Sequence, residues 1–419
     1  MIGRSVLVVG AGVAGPALAF WLLHYGFAPT LVERSRAART EGYIIDFWGL
    51  GYEIVERMGL LPQVLDAGYQ VREVRLVGQN GNRVGGFDAR LFGKVTGGRY
   101  TSLPRGALSD ILLRAVADRV QMRWEDTPVD FEQRASGVWV RFQSGAEQLF
   151  DVVIGADGLH STVRELVFGG SARFERPLGL SVAAFETAGY RPRDEGVYIG
   201  FAQPGRQVAR FALRGDRTLF LLVAAEDSDR KAIAQRGSVR DYLHLQFAGM
   251  GWEASRILEA MEDATHVYSD RVSQIRMPRW SRGAIALLGD AAYAPSLLAG
   301  QGSALAIIGA YVLAGELSRA VTAEGAFDRY ESTLREFIDA KQAAAVELAG
   351  SFVPRSHWAL LVRNMATLAF AIPGIARWAI GCSLRDDLRL PEYPPPTPID
   401  DDRTGRSGVL TARAPANTL

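Results

Sequence analysis

Ser5-Val6-Leu7-Val8-Val9-Gly10-Ala11-Gly12-Val13-Ala14-Gly15 opens the chain, and Thr30-Leu31-Val32-Glu33 follows it about one helix length later. The first five residues are apolar and rich in β-branched side chains, the composition of a strand buried on both faces of a parallel sheet. A helix from about residue 16 to 25, stopped by Gly26, then leads into the second apolar run, which makes a βαβ unit. Between strand and helix stands Gly-x-Gly-x-x-Gly. Gly10 permits the tight turn, Gly12 lets a pyrophosphate approach the backbone at the helix N-terminus, and Gly15 allows close packing of helix on strand. Val13 and Ala14 complete the turn. Glu33, 18 residues beyond Gly15 and followed by Arg34, is placed to take ribose hydroxyls and to repel a 2′-phosphate. The expected occupant is therefore FAD or NAD rather than NADP. A second match, Gly249-Met250-Gly251-Trp252-Glu253-Ala254, follows a helical segment instead of a strand and reads as a loop.

Working outward, residues 50 to 66 and 106 to 119 carry helical periodicity, and 71 to 87 alternate as strands around Asn80-Gly81-Asn82. Two more buried strands each run into a glycine turn, Phe150-Asp151-Val152-Val153-Ile154 into Gly155-Ala156-Asp157-Gly158, and Ala284-Ile285-Ala286-Leu287-Leu288 into Gly289-Asp290. Residues 302 to 320 read as a long apolar helix, while 172 to 275 are mostly short alternating strands. Nucleotide-type strands at three distant places imply a discontinuous binding domain. The fold expected is α/β: a Rossmann-like domain built from 1–75, 96–170 and 276–345, with a mixed or antiparallel β-sheet substrate domain of 76–95 and 171–275 inserted in it. A helical segment, 346–392, carries Phe352, Trp358, Leu361, Met365 and Phe370 at near-helical intervals and is expected to pack its apolar face on the domain junction, either only buttressing the fold or also closing the pocket over a large planar ligand. From 393 to 419, Pro394-Pro395-Pro396 and Asp400-Asp401-Asp402 with few large hydrophobes predict disorder.

The 419 residues are 48% hydrophobic and 22% charged, which excludes a disordered chain, a collagen-like fibre and a disulfide scaffold. With 47 basic against 46 acidic residues there is no global field to recruit nucleic acid or an anionic membrane. One cysteine, Cys382, suits a reducing cytoplasm and reads as a small buried hydrophobe. The apolar stretch 358 to 380 contains Arg363, Asn364, Pro373 and Arg377, so an amphipathic helix is expected there rather than a membrane span. His24, His160, His244, His266 and His357 are scattered without metal-ligand spacing, and no metal is expected.

Three ordered motifs, the first glycine turn, Gly155-Ala156-Asp157-Gly158-Leu159-His160-Ser161-Thr162-Val163-Arg164 and Gly289-Asp290-Ala291-Ala292-Tyr293-Ala294-Pro295, resemble the class A (para-hydroxybenzoate hydroxylase-like) FAD-dependent monooxygenases over roughly residues 1 to 345. The resemblance implies noncovalent FAD, NADPH or NADH as a transient co-substrate, and a flavin C4a-hydroperoxide that delivers oxygen to an electron-rich ring. It places Asp157 near the pyrophosphate and nicotinamide, Asp290 and Pro295 beside the ribityl chain and pyrophosphate, and Gly300, Gln301 and Gly302 as a cradle for the isoalloxazine. Backbone N–H groups at that helix start suit the negative charge of a reduced flavin. Arg105 resembles the family arginine that contacts the cofactor, an ordinary surface arginine being the other reading. Two departures stand out: Tyr293 where histidine is frequent, and Trp48 where a basic residue is frequent.

With the cofactor carrying the chemistry, no catalytic side chain is assigned. Motif detail at 289–296, 300–302 and 309–317 is especially similar to tetracycline-inactivating flavin monooxygenases, so a polycyclic phenol or enol is the expected substrate and antibiotic resistance or polyketide tailoring the expected setting. Phe185, Phe201, Phe211 and Phe220 stand as pocket candidates, with plain core the commoner role of such residues. The alternatives are a flavin-dependent reductase and a non-catalytic FAD-binding sensor or drug-sequestering protein; the Trp-x-Trp-x-Ile-Pro segment of flavin halogenases is absent.

Overall fold

Strand Ser5–Val9 lies between two parallel neighbours, Ala28–Glu33 on one side and Val152–Gly155 on the other. The sheet continues through Ile285–Leu287 and Ser281–Arg282 at one edge and Gln121–Trp124 at the other, six strands of which only the short Ser281–Arg282 runs antiparallel. The structure is a computed structural model that describes residues 3–37, 43–226, 237–370 and 386–393. Parallel order brings the carboxyl ends of three strands far apart in sequence to one edge, so Gly10, Ala156-Asp157 and Leu288-Gly289 meet there, where open α/β sheets bind ligands. Helix Ala14–His24 covers the sheet and packs against Gly302–Arg319, whose residues from Leu305 to Leu317 are buried without interruption. A helix apolar on every side needs neighbours on every side, and this one sits in the largest core.

The second sheet has seven strands in the order Val267–Ile275, Glu175–Ala188, Arg217–Ala225, Arg206–Ala212, Val197–Gln203, Glu73–Val77, Arg83–Asp88, antiparallel except where Val197–Gln203 meets Glu73–Val77. One face packs on helices Val239–Phe247 and Ala254–Glu262; on the other, Leu180, Val182, Val223 and Val272 pack on Leu297, Leu298, Ala349, Phe352 and Val353. Strand Glu73–Val77 crosses the boundary drawn at residue 75, because its hydrogen bonds go to this sheet over its whole length. The segment 249–254 is the turn between the two covering helices, with Trp252 N–H donating to the carbonyl of Gln79.

Two expectations for the C-terminal part are corrected. Helix His357–Ala369 turns Trp358, Leu361 and Met365 outward, Trp358 being 76% exposed, and docks instead through Leu360, Arg363 and Thr367. The reason is steric: Gly85 and Gly86 present bare backbone, and Thr367 Oγ1 closes on it, accepting from Gly86 N–H at 2.9 Å. Tyr393, the first residue of the stretch expected to be disordered, is instead buried beside Gly315 and donates its hydroxyl hydrogen to Glu316. Upstream, Asp386 accepts from Leu50 N–H and pairs with Lys341 at 2.7 Å, fastening the strap 386–393 to the start of helix Gly49–Arg57. Cys382 and residues 394–419 lie outside the described residues. No described helix is long and apolar enough to cross a membrane, and no described group of three or more His, Cys, Asp or Glu is arranged to hold a metal.

Candidate cofactor and substrate site

A cavity of about 460 Å³ runs along the carboxyl edge of the first sheet. Gly10, Gly12, Val13, Ala14, Glu33, Arg34, Arg105, Asp157, Asp290, Gly300 and Gly302 line it. At its centre the three glycines of the first motif differ in what they make room for. A Cβ on Gly10, at φ +105°, would lie 2.6 Å from the carbonyl oxygen of Ala156, and one on Gly15 would lie 1.9 Å from that of Gly10. On Gly12 it would meet only Arg105 Nη2, 4.0 Å away, so this glycine borders open space and the other two are packed. Gly15, Pro295 and Gln301 are absent from the lining. Pro295 stands behind the wall, its carbonyl taken by the buried Gln274 side chain at 2.6 Å, and Gln301 precedes the first turn of helix Gly302–Arg319.

The electrostatics divide the cavity. Helix Ala14–His24 has no side-chain cap and no acidic residue in its first turn, so its free N–H groups face the cavity beside the Arg105 guanidinium, which has no hydrogen-bond partner among the described residues. That end suits an anion. Glu33 braces the turn, accepting from Ala11 N–H at 2.9 Å and Ser35 N–H at 3.0 Å. Asp290 is half-buried with no described donor against it; desolvation raises its pKa, which nearby Arg105 opposes. Such a carboxylate suits hydroxyl groups of a bound molecule. Ser296 adds a buried hydroxyl without a partner. Asp157 is different: it accepts from Ser161 Oγ at 2.6 Å and Val163 N–H at 3.1 Å, capping helix Thr162–Phe168, although burial still raises its pKa.

Several lining residues have no role that the sequence assigns. Tyr43 has its hydroxyl pushed up to about 12 by burial, against the nearby Arg105, and its ring stands 6.3 Å from that of Tyr268. His160 meets Asp270 at 3.0 Å, which raises the histidine's pKa and bridges the Asp157-Gly158 turn to the second sheet. Asp126 and Thr127 close the Glu33 end.

The four phenylalanines proposed for a substrate pocket do not line the cavity. Phe185, Phe201 and Phe220 point to the face covered by helices 239–247 and 254–262, because strand alternation puts them there, and Phe185 stacks on Phe220 at 4.9 Å. Phe211 lies on the opposite face but is buried against Tyr69, Val71 and Tyr198. Aromatic rings do line up elsewhere. Phe370, Phe87, Phe92, Tyr100 and Trp48 follow one another with centroid separations of 5.5, 5.7, 5.4 and 6.3 Å, joining the end of helix His357–Ala369 to strand Ile44–Trp48. Beside Trp48, exposed Asp46 accepts from Tyr100 Oη at 2.5 Å and Ser102 Oγ at 2.6 Å. The helix that follows this strand, Gly49–Arg57, abuts the start of helix Gly302–Arg319, Gly51 packing on Ala304. Of the two departures from the family pattern, Trp48 therefore belongs to the ring wall. Tyr293 faces away from the cavity, hydrogen-bonded to Tyr330 at 3.0 Å beneath Gly309.

Known proteins agree with this architecture. The family model described as "FAD binding domain" matches residues 4–344. A flavin-dependent monooxygenase from an unknown prokaryotic organism is 34% identical over 401 residues, covering 88% of this chain and 98% of its own. Another, from Legionella longbeachae serogroup 1 (strain NSW150), is 33% identical over 367 residues, covering 84% and 90%. Among solved structures, the tetracycline destructase Tet(55) superposes with a TM-score of 0.80 at 32% identity, covering 94% of this chain and all of its own. A glycine turn that leaves room for a pyrophosphate, an aspartate at the end of a distant parallel strand and a match over most of the chain converge: this protein belongs to the class A FAD-dependent monooxygenases.

Proposed function

We propose that the enzyme uses NAD(P)H and O₂ to hydroxylate a planar polycyclic phenol or enol, with tetracyclines the first compounds to test. The row of five aromatic rings from Phe370 to Trp48 carries this reading: the rings lie outside the lining of the 460 Å³ cavity, and strand Ile44–Trp48, whose Ile45 does line it, connects the two. A flat fused-ring molecule gains most from such a surface, since stacked and edge-on ring contacts contribute about 0.5 to 1.5 kcal/mol each beyond the area they bury. The likeness to a protein named as a tetracycline destructase supports the same substrate class.

In this reading the free N–H groups of helix Ala14–His24 and the Arg105 guanidinium hold the pyrophosphate of FAD. Glu33 takes ribose hydroxyls, Asp290 takes hydroxyls of the ribityl chain, and the start of helix Gly302–Arg319 faces the electron-rich edge of the ring system. When bound, FAD would supply the redox and oxygen-transfer chemistry, with electrons from NAD(P)H and the oxygen atom from O₂. The protein's part is to orient the substrate ring and keep water out while Asp46, fixed by Tyr100 and Ser102, borders the substrate side.

The test is to incubate the FAD-loaded enzyme with a panel of tetracyclines and single-ring phenols, with NADPH or NADH in air. NAD(P)H and O₂ consumption are followed together with product mass. A product heavier by one oxygen atom, made from a fused-ring compound, is expected. Substrate reduction without O₂ uptake would make the protein a reductase, and tight binding without turnover would make it a sequestering protein.

A further inference from the structure

Ser296 combines three features that no other described residue combines. It is 3% exposed, its Oγ has no hydrogen-bond partner, and it lines the cofactor cavity. Its backbone is also unusual. Glu125, Asp216 and Trp252 have φ between 54° and 58°, the left-handed region that turns reach with modest strain, whereas Ser296 has φ 138° and ψ 142°, a conformation natural to glycine alone. A glycine at 296 would remove the strain. The chain holds a serine there, and its hydroxyl meets no protein acceptor. Buried donors without acceptors are rare in native proteins, since each forfeits its bond to water.

The position says what the acceptor belongs to. Ser296 directly follows Pro295, which packs near Gly302, and Gly302 is itself placed so that a Cβ would lie 3.3 Å from Asp290 Oδ1. It opens the turn Leu297–Ala299 that delivers Gly300 in the left-handed conformation to the start of helix Gly302–Arg319. Leu297, Gly300, Gly302 and Ser303 line the same stretch of cavity. We propose that the Ser296 hydroxyl donates a hydrogen bond to an acceptor on the edge of the bound flavin ring, so that this chain sets its flavin potential through a side chain as well as through the cradle backbone. The inference rests on the cofactor reading of the cavity and is independent of which substrate is oxidised. A donor at the ring edge favours the more electron-rich reduced state, so removing it lowers the potential.

The experiment compares FAD-loaded wild type with Ser296→Gly and Ser296→Ala by dye-coupled redox titration, visible absorption and FAD content. Glycine adopts φ 138° without strain and keeps the fold, so this variant isolates the hydroxyl. Both variants are expected to retain stoichiometric FAD and to lose about tenfold in the site's preference for reduced over oxidised flavin, roughly 30 mV for a two-electron couple. An unchanged potential and spectrum in Ser296→Gly overturns the proposal. So does a shift in Ser296→Ala that Ser296→Gly lacks, because the effect is then backbone distortion. Failure of either variant to bind FAD also overturns it and counts separately against the cavity assignment.

Discussion

The buried guanidinium of Arg164 donates to the carbonyl of Ala291 at 3.0 Å and to that of Leu159 at 2.6 Å. One side chain thus ties the turn after strand Val152–Gly155 to helix Asp290–Tyr293, two sequence motifs 127 residues apart. Bonds from a charged donor contribute about 1.5 to 3 kcal/mol each, and losing the donor strands two buried carbonyls. Arg164→Met is therefore expected to cost about 3 kcal/mol in urea unfolding and to weaken FAD binding, since Leu159 and Asp290, the neighbour of Ala291, line the cavity. A wild-type unfolding midpoint in this variant would show the tie to be dispensable.

Gly12 and Gly15 predict opposite defects. The Cβ of Gly12→Val enters open space, so the apoprotein should fold with wild-type stability while binding FAD at least 100-fold more weakly, the branched side chain standing where the pyrophosphate approaches. Gly15→Val drives a side chain into the carbonyl of Gly10 and should fail to accumulate as folded protein. Circular dichroism and flavin titration separate the two. If Gly12→Val binds FAD normally, the phosphate turn is misplaced.

Asp290 gives a pH-dependent prediction. Burial raises its pKa in the folded apoprotein above the unfolded value of about 3.9. The folded state then holds the proton more tightly, so this group's contribution to stability is full below pH of about 4 and is lost as pH rises through the folded pKa. Asp290→Asn, which has nothing to ionise, should melt higher than wild-type apoprotein at pH 7 and equally at pH 3.5. The same variant should bind FAD about 10- to 150-fold more weakly, having lost a charge-assisted hydrogen bond. Equal melting at pH 7 would remove the desolvation argument; equal FAD affinity would remove Asp290 from the site.

The first sheet and its cavity were legible because each glycine motif is local: strand, turn and helix lie within a few residues, and the backbone chemistry is written in residues such as Gly10 and Asp290. The rings that the proposed function gives to the substrate were not. Phe185 and Phe220 are candidates by residue type alone, but which face of a strand meets the cavity depends on the register of seven strands, which no short segment encodes. The ring wall draws on five elements, so Phe92 and Phe370 look unrelated until the chain is folded. The outward turn of Trp358 had the same cause, because the docking face of its helix is chosen by Gly85 and Gly86 some 270 residues earlier. Ser296 was hidden because its strain and its orphaned hydroxyl are properties of conformation alone.

The last prediction concerns that wall. Phe92 stacks on Tyr100 with an interplanar angle of 12° and meets Phe87 edge-on at 5.7 Å, so it is the middle ring of the five. A fused-ring substrate spans several rings and a single-ring phenol spans one, so removing the middle contact should separate them. Phe92→Ala is expected to raise KM for a tetracycline about tenfold, the size of one good aromatic contact. It should leave KM for a small phenol within twofold and FAD content unchanged. Trp358→Ala, at a position 76% exposed on the outer face of its helix, serves as the control and should alter neither substrate. An equal loss for both substrates in Phe92→Ala would mean that the ring supports the fold and not the ligand. A loss in Trp358→Ala that matches it would move the binding surface to the outer helix face.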